Sequence, residues 1–169
     1  MPKPLTLSKP FPSVEGLLPD AYSLRIISPE YASPTGELNA ILQYIYHSFY
    51  FKKCGYGDIA ETLKSIAVAE MLHLDLLGQT ILALGAAPTF CRYPYSGFDY
   101  YSTKYVAYSR SLKFMLEDDI IGEKHAIRDY EKMLKLLQNE VVKEIVSRIL
   151  EDEVLHLETL QNILKDFNG

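Results

Sequence analysis

Glu70-Met71-Leu72-His73 and Glu153-Val154-Leu155-His156 are two copies of one pattern, a glutamate followed three positions later by a histidine. Each copy lies inside an apolar stripe of helical period. The first stripe reads Leu63, Ile66, Glu70, His73, Leu77, Ile81, Leu84, and the second Val146, Ile149, Glu153, His156, Leu160, Leu164. Side chains three apart share a helix face. Each glutamate and its histidine therefore point the same way, into whatever the apolar stripe packs against.

Moving outward, each copy is preceded by a second pattern, a glutamate followed seven positions later by a tyrosine: Glu37 with Tyr44, and Glu123 with Tyr130. The interval from Glu37 to Glu70 is 33 positions and from Glu123 to Glu153 it is 30. Glu37 and Tyr44 belong to a stripe at 37, 41, 44, 48 and 51. Glu123 and Tyr130 belong to the stripe Leu116, Ile120, Glu123, Ile127, Tyr130, Leu134, Leu137. The chain thus reads as two similar helical hairpins, each bringing two glutamates and one histidine to an apolar face. Four buried carboxylates cost several kcal/mol each if left charged and unpaired. They must take up protons, satisfy one another in a hydrogen-bonded network, or enclose cations. Two divalent ions cancel four carboxylate charges.

The remaining punctuation fixes the organisation. Residues 1–34 hold seven of the nine prolines and read as an irregular or extended arm. Within it, residues 22–27 are compatible with a brief helix or an extended segment. A bundle domain follows over residues 35–169. Thr35 is a candidate N-cap for its first helix, and Cys54-Gly55-Tyr56-Gly57 ends that helix. Asp58 is a candidate cap for the second helix, which stops at Gly85 and Pro88. Residues 86–102 form a tyrosine-rich crossover. The third helix is expected over about 103–137 and the fourth over 140–167, with Asn139 between them. The fold expected is all-α: four helices, short links within each hairpin, and one long crossover between helices 2 and 3.

The stretches GELNAILQY (36–44), AEMLHLDLL (69–77), GEKHAIRDY (122–130) and EDEVLHLETL (151–160) resemble the ferritin-like superfamily, and within it the rubrerythrin-type di-iron carboxylate proteins. PTGEL (34–38), GEKHAIRDYEKML (122–134) and ILEDEVLHLETL (149–160) are also similar to the manganese catalase and spore-coat branch. The resemblance covers about 35–165. It implies a ferritin-like four-helix bundle with a dinuclear metal site. Its ligands would be Glu37, in a bridging position, Glu70, His73, Glu123, Glu153 and His156. Glu153 has two readings, because in the manganese branch the fourth-helix glutamate sits in the outer shell. Tyr44 and Tyr130 would orient glutamates, and Asp152 sits where some relatives place a carboxylate that orients a histidine. The corresponding residue in the first hairpin is Ala69, so that feature is half present.

The activity implied is an oxidoreductase, a rubrerythrin-like peroxidase acting on hydrogen peroxide or dioxygen through two metal ions, iron ahead of manganese. It would need an external electron donor, since no Cys-x-x-Cys pair of a rubredoxin domain is present. Manganese catalase-like disproportionation of peroxide and a non-catalytic coat or storage role are the alternatives. Manganese catalases are also longer, and Gly122 stands where some of them carry arginine.

Other residues read as bystanders. His47 suits a hydrogen-bonded core position, His125 a surface position, and Glu117-Asp118-Asp119 a solvated face, with Asp119 at the border of the stripe. Tyr93, Tyr95, Tyr100, Tyr101, Tyr105 and Tyr108 read as cover for the bundle or as a dimer interface. Cys54 and Cys91 are too few for a disulfide scaffold or a four-cysteine metal site. A net charge of −5 over 169 residues argues against nucleic acid as a partner. No long uninterrupted apolar run or secretory h-region is visible. A cytoplasmic homo-oligomer, a dimer at least, with no membrane partner is the expectation.

Overall fold

The structure is a computed structural model describing residues 2–91 and 100–167. It contains helices α1 (Ala21–Ala32), α2 (Glu37–Lys53), α3 (Gly57–Ala83), α4 (Leu112–Leu136) and α5 (Glu140–Asp166), with a 3-10 turn at Thr103–Tyr105. Helices α2 and α3 form one antiparallel hairpin and α4 and α5 the other, with α2 facing α4 and α3 facing α5 across the core. This is the expected bundle, with the long connection between α3 and α4. Helix α3 is long and apolar enough to cross a membrane by length and composition alone. Its inward stripe is packed inside the bundle and carries Glu70 and His73.

The apolar core comes in two parts. One gathers Leu77, Ile81, Tyr130, Val142, Ile145 and Ile149 with residues of α1. The other gathers Phe51, Leu63, Ile66, Met115, Leu116 and Leu160. Between them in the stripes of α3, α4 and α5 sit Glu70, His73, Glu123, Glu153 and His156, joined by Glu37 from the first turn of α2, so the polar layer is enclosed by hydrocarbon above and below.

The structure differs from the sequence reading at four places. In the proline-rich arm the helical alternative for residues 22–27 holds, but the helix, α1, runs for 12 residues with Pro29 inside it. Proline in a helix interior costs about 3 kcal/mol. Burial of Leu24, Ile27 and Tyr31 against the bundle and capping of Tyr22 and Ser23 N–H groups by Asp20 offset that. Helix α2 is capped by Gly36 rather than by Thr35. A Cβ on Gly36 would meet the Glu30 carbonyl oxygen at 2.5 Å, so only glycine lets α1 turn this closely into α2. The third helix starts at Leu112, capped by the Ser111 hydroxyl, not near 103. The Ala107 N–H donates to Gln43 (3.0 Å) and its carbonyl accepts from His47 (2.9 Å), which holds that backbone out of the helix. Asp58 falls in the first turn of α3, whose cap position is Tyr56.

Two of the crossover tyrosines lie over α2: Tyr101 donates to Asn39 (2.9 Å) and Tyr108 packs edge-on to Tyr46. Tyr93 and Tyr95 lie outside the described residues.

Leu77 is fully buried and Leu82 is 63% exposed on the same helix. Leu77→Ala is expected to lower unfolding free energy by about 2–5 kcal/mol, and Leu82→Ala by less than about 0.5 kcal/mol, measured by urea denaturation.

Candidate metal centre

Glu37, Glu70, His73, Glu123, Glu153 and His156 are all buried and converge. They form two groups, Glu37, Glu70, His73 and Glu153 on one side and Glu70, Glu123, Glu153 and His156 on the other, with one candidate ligand atom per residue lying within 4.8 Å of the others. Glu70 and Glu153 belong to both groups. The resemblance implies Glu37 in a bridging position; in the structure Glu37 belongs to one group, and the two glutamates of the Glu-x-x-His motifs are the ones common to both. Those residues start the motifs on α3 and α5, which face one another, so their carboxylates meet at the centre.

Each shared carboxylate divides its oxygens between the histidines. Glu70 Oε2 lies 2.9 Å from His73 Nδ1, and Glu70 Oε1 lies 3.0 Å from His156 Nδ1. Glu153 Oε1 lies 3.1 Å from His73 Nδ1, and Glu153 Oε2 lies 3.6 Å from His156 Nδ1. Glu37 and Glu123 stand further off, at 3.7 and 3.9 Å from His73 and His156 respectively. The two imidazole centroids are 5.9 Å apart.

The surroundings hold these groups in place. Tyr130 on α4 donates to Glu37 on α2, and Tyr44 on α2 donates to Glu123 on α4. The tyrosine of each hairpin therefore orients the glutamate of the other. Asp152 is fully buried and its Oδ2 lies 3.1 Å from His73 Nε2. The Nε2 atom of His156 lies 2.8 Å from the carbonyl oxygen of Leu5. With each outer nitrogen donating its proton to an acceptor, each Nδ1 faces the carboxylates with a lone pair in the neutral ring.

The donor set fits two divalent ions. Glu70 Oε1, Glu123 Oε2, Glu153 Oε1 and His156 Nδ1 are buried and make no hydrogen bond, although buried polar atoms normally do. Neighbouring donors on an octahedral ion with bonds of about 2.1 Å sit about 3.0 Å apart, which matches the closest separations in the cluster. Oxygen and imidazole donors suit both iron and manganese.

Without cations, the cluster retains protons. Burial, then the charges of Glu70 and Glu153, push Glu37 well above the usual carboxylate range; burial and Glu153 do the same for Glu123. Burial opposes charge on both imidazoles, yet the surrounding carboxylates raise His73 and His156 well above their ordinary value. Burial likewise disfavours ionised Glu70 and Glu153, but the histidines hold both below the usual range.

A cleft of about 220 Å³ leads to the cluster, with Glu37, Glu70, Glu123 and Glu153 among its lining. Glu30, Tyr105, Asp118, Gly122 and His125 line it as well. His125, expected at the surface, is thus a cleft residue. Asp119, expected on a solvated face, is fully buried. It accepts from Gln43 (2.8 Å) and pairs with His47 Nδ1 (2.9 Å), which places His47 in a hydrogen-bonded network beside the cluster rather than in it. Glu30 was missed in the sequence because it lies in the proline-rich arm. It is 3% exposed, and burial, with the charges of Asp129 and Glu153, pushes its carboxyl up to about 8. Neither cysteine is in a disulfide.

A family model described as a ferritin-like domain matches residues 34–169, and the chain belongs to that family. A bacterioferritin from Desulfovibrio desulfuricans is 28% identical over 130 residues, 75% of this chain and 67% of that protein. Among solved structures, a manganese catalase from Anabaena superposes with a TM-score of 0.81 at 24% identity, covering 96% of this chain and 83% of its own. The structure of the D. desulfuricans bacterioferritin, described with a diiron site in different catalytic states, gives a TM-score of 0.72 at 26% identity over 86% of this chain and 79% of that one. A Mycobacterium tuberculosis bacterioferritin gives 0.73 at 22% identity over 88% and 87%.

A buried carboxyl that keeps its proton to about pH 8, against an ordinary value of 4.5, costs stability as pH rises. The unfolded chain ionises Glu30 from about pH 4.5 upward while the folded chain does not, so this contribution falls between about pH 5 and 8 and then levels. Glu30→Gln is expected to abolish that part of the slope. The check is the urea midpoint of metal-free wild type and variant across this range; a constant difference between them contradicts the assignment.

Proposed function

We propose that this chain is an oxidoreductase whose six buried ligands hold two divalent metal ions, iron ahead of manganese, and that its oxidant is hydrogen peroxide or dioxygen. The observation that carries the reading is the sharing of Glu70 and Glu153 between two ligand groups around histidines with inward-facing Nδ1 atoms. When bound, a redox-active metal pair supplies electrons and a place for the oxidant. The residues of the chain do the rest. Glu37 and Glu123, held by Tyr130 and Tyr44, are the outer carboxylates next to the cleft. The tyrosine hydroxyls keep these two carboxylates aimed at the centre. The closed hydrocarbon on either side excludes water except through the cleft. Glu30, neutral at pH 7, holds a proton in the cleft where reduced oxygen needs one. An external reductant then restores the centre, making the activity that of a rubrerythrin-like peroxidase.

A second reading keeps the centre and exchanges the metal. The fold match to a manganese catalase over 96% of the chain supports peroxide disproportionation, which needs no donor and releases oxygen. Storage or a coat role is a third, which a large hollow particle in light scattering would support. Large apolar side chains left at the surface, among them Phe49, Phe90 and Phe114, support a homo-oligomer. A cytoplasmic setting accords with cysteines outside any disulfide.

Wild-type protein loaded with Fe2+ or Mn2+ is expected to hold about two ions per chain and to consume peroxide. Glu70→Ala combined with Glu153→Ala removes the shared ligands and should lose both ions and turnover, whereas Glu37→Ala should spare one site. Elemental analysis and peroxide consumption are the readouts. Oxygen evolution without added donor selects the second reading. A double variant that keeps its metal and its turnover sinks the proposal.

A further inference from the structure

Residues 5–11 run along the outer side of α3 and α5, in the arm that the bundle pattern does not cover. Their contacts are directed at the two histidines. The Leu5 N–H donates to the Ser65 carbonyl (3.0 Å), and the Leu5 carbonyl accepts from His156 Nε2 (2.8 Å). Two residues on, the Leu7 N–H donates to Asp152 Oδ1 (2.8 Å), whose other oxygen holds His73 Nε2. Arg148 binds Asp152 (2.8 Å) and donates to the carbonyls of Leu7 (3.1 Å) and Lys9 (3.2 Å). The Phe11 ring lies beneath the Arg148 guanidinium, 4.5 Å from its centroid, and meets the His73 ring edge-on at 5.9 Å.

The asymmetry of the two hairpins gives this segment a task. Asp152 serves the histidine of the first hairpin. Its counterpart by position is Ala69, which is fully buried and has no acceptor to offer His156. The carbonyl of Leu5 stands in that role. One histidine is therefore oriented by the strap directly, and the other by a carboxylate that the strap holds.

We propose that residues 5–11 are a positioning strap of the metal centre, their backbone fixing the ring orientation and tautomer of His156 and, through Asp152, of His73. This rests on the reading of the cluster as a metal site. A polar partner behind a ligating imidazole typically changes metal affinity by about 10–100-fold. A tail that merely packs would alter folding stability and leave affinity alone.

The test is a Mn2+ titration of the full-length protein, reading the EPR signal of free aqueous Mn2+, with helical circular dichroism and the melting temperature of the metal-free protein recorded alongside. Leu7→Pro deletes the backbone N–H by which the strap holds Asp152 and keeps the carbonyl. Arg148→Lys keeps the charge beside Asp152 and loses the fork that clamps the strap, so it tests the same link should the proline variant fail to fold. Wild type is expected to bind two ions and each folded variant to bind at least one of them about 10-fold or more weakly. Two ions bound by wild type and by folded variants with equal affinity would overturn the strap while leaving the metal centre standing. No Mn2+ or Fe2+ bound by wild type would overturn the centre and the strap together.

Discussion

Four carboxylates and two imidazoles share a layer of the core that hydrocarbon closes on both sides, and the rest of the fold is arranged around that charge. Each ionised group there carries a desolvation penalty of several kcal/mol. Protons alone relieve it only in part: Glu37 and Glu123 are driven toward their neutral forms while both histidines are driven toward their charged ones. With the rings neutral, Glu70 Oε1, Glu153 Oε1 and His156 Nδ1 are left without a hydrogen bond. Divalent cations answer the charge and the unsatisfied atoms at once. The apolar clusters above and below hold the helices close enough for the carboxylates to meet.

The near-symmetry of the two hairpins extends to the supporting groups and then breaks. Tyr44 and Tyr130 exchange glutamates across the bundle, so neither hairpin completes its own half. The histidines differ. His73 has a carboxylate behind it and His156 a backbone carbonyl from the N-terminal segment. The access side is unequal as well, since α1 contributes Glu30 to the cleft. A pattern that reads as a repeat in sequence folds into a site whose surroundings are not duplicated.

Much of this was legible in the residues. Polar side chains at 37, 70, 73, 123, 153 and 156 interrupt otherwise apolar stripes, and periodicity alone sends them inward. The turns were legible where glycine has a positive φ, as at Gly55 and Gly85. What escaped was tertiary. Helix α1, allowed as a brief helix at 22–27, extends through Pro29 because burial outweighs propensity, and no local signal reports that burial. The late start of α4 depends on side chains of α2 bonding the backbone at Ala107. Asp119 reads as part of an acidic run, yet pairing with His47 makes its burial tolerable. That Glu70 and Glu153, rather than Glu37, are common to both ligand groups depends on which helices face each other, which spacing does not encode.

The most direct test of the central claim is anomalous X-ray diffraction from crystals of metal-loaded protein, with data collected at the iron and manganese edges. The account predicts two peaks side by side in the core, Glu70 and Glu153 between them, one adjoining Glu37 and His73 and the other Glu123 and His156. The edge at which they appear identifies the metal. A single peak, peaks away from this cluster, or a metal-free core in crystals from loaded protein would contradict it.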